Sequence, residues 1–192
     1  MEASRVAEAL KESADVKLNI AENSELLEKT VKVAEAIVES LRKGGKLVVF
    51  GNGGSAADAQ HIACELTGRY LKERVSLPAI ALTTNTSCLT AIANDYSYDL
   101  VFSRQVQGLV TEKDTVIGIS TSGMSKNVVL GLKAAKEMGA FTVAFTGASG
   151  GDVCMYAKEC INVPSRSTPR IQEAHITIGH IVCQLVEESM FP

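Results

Sequence analysis

The sequence predicts an α/β fold: a three-layer α/β/α sandwich with a five-stranded parallel sheet, preceded by N-terminal helices. Three observations carry this. Short apolar, β-branched runs alternate with amphipathic stretches of helical length. The runs are apolar at nearly every position, as strands buried on both faces require. Two of them, KLVVF at 46–50 and TVIGI at 115–119, stop at Gly/Ser-rich turns that open into helical spacing.

The elements follow in order. Residues 3–22 and 25–43 place Ala, Val, Leu and Ile at helical spacing with charges between them, and the second helix ends at Gly44-Gly45. Strand 46–50 runs into Gly51-Asn52-Gly53-Gly54-Ser55, and a helix follows over 56–70. Pro78 precedes a second strand at 79–82, then helices at 87–93 and 99–110. Strand 115–119 is followed by a crossover helix at 126–138, a fourth strand at 142–145 and a fifth at 160–163. A long helix closes the chain at 170–190. No repeat or Pro/Gly/Ser-rich linker interrupts the 192 residues, so 1–192 reads as one domain. Residues 1–45 precede any strand and cannot be crossovers. Their apolar stripes suit packing on a sheet face or against other subunits, and predict an oligomer.

Composition excludes several classes. Apolar residues make up 46% of the chain, enough for a full core, and the net charge is −3 with signs mixed. A nucleic-acid binder would show a basic face. The longest charge-free stretch, 75–94, contains Pro78 and many hydroxyl and amide side chains, so no membrane span is expected. The N-terminus carries no apolar signal core. The five cysteines form no CxxC pair, and their scatter fits reduced thiols. A soluble, cytoplasmic protein is expected.

The most informative stretch is DTVIGISTSGMSKN at 114–127. A strand, then Ser120, Thr121, Ser122 and Ser125, then a helix start gathers four hydroxyls and free backbone N–H groups around one point. A helix N-terminus favours an anion. A bare helix cap needs only one hydroxyl, so four point to a phosphate cradle. The Gly-Asn-Gly-Gly-Ser loop lies on the same predicted sheet edge, where ligands of such sheets bind. It lacks the GxGxxG spacing, and no acidic residue follows strand two, which argues against a dinucleotide site.

His61 and Glu65 are one helical turn apart, a spacing that holds a metal or runs acid–base chemistry. On spacing alone an ordinary solvated surface pair is the favoured reading, since such pairs are common on helices. The last helix carries Gln172, Glu173, His175 and His180 among apolar neighbours. Gln172 and His180 lie ~12 Å apart along that helix and ~80° apart around it. They must straddle a site from two ends, or come from two copies of the helix.

With these residues assembled, the chain resembles the phosphoheptose isomerases of the sugar isomerase (SIS) superfamily. The motifs are GNGGSAADAQH at 51–61, ELTGRY at 65–70, AND at 93–95, GISTSGMSKNV at 118–128 and RIQEAHITIGH at 170–180. The resemblance implies a flavodoxin-like SIS domain, a homotetramer and a sugar-phosphate substrate. It makes Glu65 the catalytic base and His180 the partner acid/base. It assigns phosphate to Ser120, Thr121, Ser122 and Ser125, and sugar contacts to Asn52, Gly53, Gly54, Ser55, Glu65, Asn94, Asp95 and Gln172. It also implies one zinc ion per subunit on His61, Glu65, Gln172 and His180. The chain departs from the family pattern at Pro169 and Met124. The implied reaction converts sedoheptulose 7-phosphate to D-glycero-D-manno-heptose 7-phosphate. The competing reading is a non-catalytic SIS regulator that binds a sugar phosphate or a replication initiator. Such a relative lacks the terminal histidine, and His180 favours the enzyme.

Overall fold

The computed structural model describes residues 2–192. Five parallel strands form one sheet: β1 Leu47–Gly51, β2 Ala79–Ala81, β3 Thr115–Ile119, β4 Phe141–Thr146 and β5 Glu159–Asn162, in the spatial order β2-β1-β3-β4-β5. This is the flavodoxin-like order, whose direction of winding switches between β1 and β3. The register sets Leu47 opposite Thr115 and Gly51 opposite Ile119. The two strands therefore end side by side, and the turns after them leave the same edge.

The described residues form seven α-helices around the sheet: α1 Ala3–Ala21, α2 Ser24–Arg42, α3 Gly54–Thr67, α4 Thr86–Asp95, α5 Val101–Leu109, α6 Lys126–Glu137 and α7 Thr168–Met190. Alternate strand residues feed two separate cores. Leu47, Val49, Ile117, Ile119 and Phe145 pack under α2, α3 and α7. Val48, Phe50, Val116 and Ala144 pack under α5 and α6. Double-sided burial is what makes the strand sequences apolar throughout.

All five predicted strands are present. The helix expected at 99–110 divides into a 3₁₀ turn at Tyr98–Leu100 and α5. A further 3₁₀ turn, Asp152–Tyr156, has no periodic signal and was not predicted. One expectation is corrected here. Cys154 and Cys160 form a disulfide, with Cα atoms 5.5 Å apart, while Cys64, Cys88 and Cys183 remain free thiols. The 3₁₀ turn folds Cys154 back over β5, a proximity that sequence spacing does not reveal.

The N-terminal helices pack on α7, and α2 also covers β5. Helix α2 is well buried along Leu26, Val33 and Ile37, but α1 buries only Val16 and Ile20. Val6, Leu10, Leu18, Leu27 and Val31 stay exposed. Among the described residues, no helix is long and apolar enough to cross a membrane.

Candidate active site

Three side chains from two helices converge on one point. Glu65 lies one turn after His61 on α3, and their Oε1 and Nε2 atoms are 3.0 Å apart. Helix α7 crosses against α3 and delivers His180. Its Nε2 lies 3.2 Å from His61 Nε2 and 3.9 Å from Glu65 Oε1. Close approach of the helices depends on Gly179, where an added Cβ would come within 2.8 Å of the Ile62 side chain. The two imidazoles meet edge to face with centroids 4.7 Å apart. Tyr70 flanks them, its ring 5.9 Å from that of His180. Burial, then the neighbouring Cys183, Glu65 and Glu187, hold its phenol above the ordinary tyrosine pKa.

This donor set fits zinc. Two imidazole nitrogens and a carboxylate oxygen lie within 4.8 Å of one another. Ligands ~2.0–2.2 Å from a tetrahedral ion are separated by roughly 3.3 Å, and the three observed separations bracket that value. Two Nε2 atoms facing each other make at best one hydrogen bond, whereas both can serve one cation.

The hydroxyl-rich turn sits at the end of β3. Ser120 is buried and donates to Ser125 Oγ at 3.0 Å, while the Met124 N–H donates to Ser122 Oγ at 3.2 Å. Ser125 stands at the N-cap of α6, yet its side chain makes no capping hydrogen bond. The hydroxyls therefore do not serve the helix start, which separates a ligand loop from a plain cap. Gly123 adopts φ +71°, and a Cβ there would come within 1.9 Å of the Gly150 carbonyl oxygen. Only glycine lets the turn close against residues 150–151.

The loop after β1 is tied to this turn. Asn52 and Asn127 exchange two amide hydrogen bonds of 2.8 Å each, and the Tyr98 hydroxyl donates to Asn52 Oδ1 at 3.1 Å. Helices α3 and α6 thus start side by side, with both N-termini at the same sheet edge.

The sequence of the chain matches the SIS domain family over residues 10–147. A phosphoheptose isomerase of Aquifex aeolicus is 54% identical over 184 residues, 96% of this chain and 95% of that protein. The chain belongs to the phosphoheptose isomerase family. A further relative, the phosphoheptose isomerase of a Roseiflexus species, is 53% identical over 186 residues, 97% of this chain and 93% of that protein. The solved structure of phosphoheptose isomerase GmhA from Neisseria gonorrhoeae is similar at a TM-score of 0.91 and 44% identity, covering 97% of this chain and 98% of that one. Like those family members, the chain is an isomerase.

Within this family frame, the remaining sequence-predicted residues distribute as follows. Gly53 and Gly54 are exposed at the start of α3, and Ser55 is buried beneath them. Gln172 lies against Gly54, close enough that a Cβ there would meet its amide at 2.5 Å. It stands at the α3 N-terminus, away from the imidazole pair, as the helical spacing requires. Asn94 and Asp95 are exposed at the end of α4 and hydrogen-bond to each other at 2.9 Å. Pro169 occupies the first turn of α7, a position that suits proline. His175 takes no part in the site. It is fully buried, and its Nε2 lies 3.1 Å from the Thr146 carbonyl oxygen.

Sequence reasoning missed Asn127, Tyr98, Tyr70 and Asp58. Asp58 lies two turns before Glu65 on the same face of α3. Burial pushes its carboxyl up to about 6, partly offset by His61, and its Oδ2 has no hydrogen-bond partner. The repeat Asp58-x-x-His61-x-x-x-Glu65 was readable as one helix face.

Proposed function

We propose that this chain interconverts sedoheptulose 7-phosphate and D-glycero-D-manno-heptose 7-phosphate, an aldose–ketose isomerisation that supplies a heptose biosynthetic route. The observation that carries this reading is the meeting of Glu65 with two imidazoles in a chain that also builds a hydroxyl-lined turn at the end of β3. In the ketose-to-aldose direction, Glu65 removes the proton from the carbon next to the carbonyl. The electron pair forms the enediolate C=C bond, and negative charge moves to the carbonyl oxygen. His180 passes protons between the two oxygens, a task suited to imidazole near neutral pH. Glu65 then returns its proton to the neighbouring carbon, leaving the aldehyde. Each positioned acid–base group contributes roughly 10²–10⁴ in rate.

The residues divide the substrate between them. Ser120, Thr121, Ser122 and Ser125, with the α6 N-terminus, hold the phosphate. Asn52, Gly53, Gly54 and Ser55, with Asn94, Asp95 and Gln172, hold the sugar. Anchoring the phosphate fixes the reacting carbons for proton transfer. Glu65 lies roughly 16 Å along α3 from the edge that carries the hydroxyl turn, so a neighbouring subunit would supply the carboxylate. His61, Glu65 and His180 would hold zinc, and Gln172, which lies at the α3 N-terminus of its own chain, would join them only from a second copy of the helix. Held there, zinc would supply Lewis-acid polarisation of the carbonyl and charge stabilisation of the enediolate.

A homotetramer completes the reading. The exposed apolar residues of α1 and α2 support it, as does a cleft of about 650 Å³ between α1 and α7 lined by Val6, Leu10 and Arg170. A cytoplasmic location suits a charged substrate that cannot cross a membrane unaided.

The test is incubation with sedoheptulose 7-phosphate, followed by separation of an isomer of identical mass. Absence of any isomer in the presence of zinc would refute the activity. Stripping metal with a strong chelator is expected to abolish turnover, and zinc to restore it. An unchanged rate in demonstrably metal-free protein would remove zinc from the reading.

A further inference from the structure

A buried ion pair links the segment between α3 and β2 to α7, and so reaches both catalytic helices. Arg74 and Glu187 have side chains 1% and 2% exposed, and Arg74 Nε donates to Glu187 Oε1 at 3.0 Å. The rest of the guanidinium serves the end of α3. Nη2 donates to the carbonyl of Glu65 itself at 2.8 Å. Nη1 donates to the carbonyls of Leu66 at 2.7 Å and Gly68 at 3.1 Å. These carbonyls belong to the last turn, which a helix leaves without internal partners and which favours a cation. Arg74 is thus the C-terminal cap of α3, attached at the backbone of the catalytic carboxylate.

Glu187 performs the matching task on α7. It lies seven residues after His180, two turns along the same face of the helix. Its carboxylate accepts backbone N–H groups from Tyr70 at 3.2 Å, Leu71 at 2.8 Å and Lys72 at 2.8 Å. Tyr70 is the residue whose ring flanks His180. The pair therefore ties the Glu65 backbone, the Tyr70 backbone and the His180 helix into one rigid unit.

Stability alone does not account for this arrangement. Burying two charges costs desolvation that their attraction seldom exceeds, and apolar side chains of similar volume often serve stability as well or better. What apolar side chains cannot do is hydrogen-bond three carbonyls of one helix and three N–H groups of a loop while bridging to a second helix. We propose that Arg74 and Glu187 are positioning residues, which fix α3 against α7 so that Glu65 and His180 address the same atoms. This deepens the isomerase reading and rests on it for its activity test.

The experiment compares three variants of the full chain: Arg74→Lys, Glu187→Gln and the double Arg74→Met/Glu187→Leu. Each is assayed for melting temperature, for kcat and KM with sedoheptulose 7-phosphate, and for zinc affinity by competition with a chromophoric chelator. Lysine keeps the charge opposite Glu187 but cannot span the three carbonyls. Arg74→Lys should lower kcat by about 10²-fold, the effect of an ångström-scale misplacement, with KM within about twofold of wild type. The double variant removes both charges but leaves those carbonyls and N–H groups without partners, so it should fold with a lower melting temperature while kcat stays low. Zinc affinity should fall roughly 10- to 100-fold, as when ligand-orienting groups are lost. Recovery of kcat and zinc affinity in the double variant would show a purely structural pair and overturn the proposal. So would a double variant that fails to fold. If wild-type protein isomerises nothing, the functional reading fails, and zinc affinity still decides the positioning claim.

Discussion

Asn52 and Asn127 face each other across the sheet edge and exchange paired amide hydrogen bonds of 2.8 Å. One residue belongs to the loop after β1, the other to the first turn of α6 behind the hydroxyl loop. A reciprocal amide pair fixes distance and orientation together, so the loop after β1 and the hydroxyl-rich turn behave as one part. The Tyr98 hydroxyl adds a third tie at Asn52 Oδ1.

Cutting that tie should weaken binding more than chemistry. In Asn127→Ala, the Asn52 amide loses a donor and an acceptor in a partly buried place. An unmade hydrogen bond of this kind costs about 1–3 kcal/mol. KM for the sugar phosphate should rise roughly 5- to 150-fold on that cost, with kcat little changed. Steady-state kinetics checks this, and an unaltered KM would show that the loops hold their places independently.

Glu65→Gln and His180→Ala should each remove turnover while leaving the fold intact. Glu65 is only one-fifth exposed and His180 about one-third, and neither carries the core. Loss of an acid–base group is worth roughly 10²–10⁴ in rate. Circular dichroism and melting curves should match wild type. Full activity in either variant would strike that residue from the chemistry.

Gly123→Ala should damage both binding and stability. The new methyl would sit 1.9 Å from the Gly150 carbonyl oxygen, at a φ of +71°. The turn must move, at a cost of about 1–3 kcal/mol for overpacking and roughly 1–2 kcal/mol for the left-handed backbone. A lower melting temperature and weaker inhibition by inorganic phosphate are expected. A variant with wild-type melting and phosphate affinity would mean that the turn does not depend on this contact.

Much of this was legible in the sequence, and the reason is local. TVIGI at 115–119 is read to the residue because both its faces are buried and a Gly/Ser turn ends it. His61 and Glu65 announce themselves by spacing on one helix. That His180 joins them could come only from family resemblance, since 119 residues separate the imidazoles. Arg74 and Glu187, 113 residues apart, look like two more surface charges until the fold buries them together. The same holds for Asn127, which reads as an ordinary polar residue at a helix start. His175 shows the converse: its sequence neighbourhood groups it with Gln172 and His180, yet helical rotation turns it toward β4 and into the core.

That burial gives the fold an acid-sensitive element. Desolvation pushes His175 down to about 4 from its ordinary 6.5, only partly countered by the Thr146 carbonyl. Between these values the unfolded chain binds a proton that the native chain refuses. Native stability is therefore fully present above pH 6.5 and drains away as pH falls toward about 4. The linked loss is about 3 kcal/mol across this window. Replacing the imidazole in His175→Gln should flatten that part of the curve, even if the variant is less stable at neutral pH. Denaturant unfolding at pH values from 7 down to about 4 measures the slope. Identical slopes in wild type and variant would mean that His175 already carries its proton in the native state.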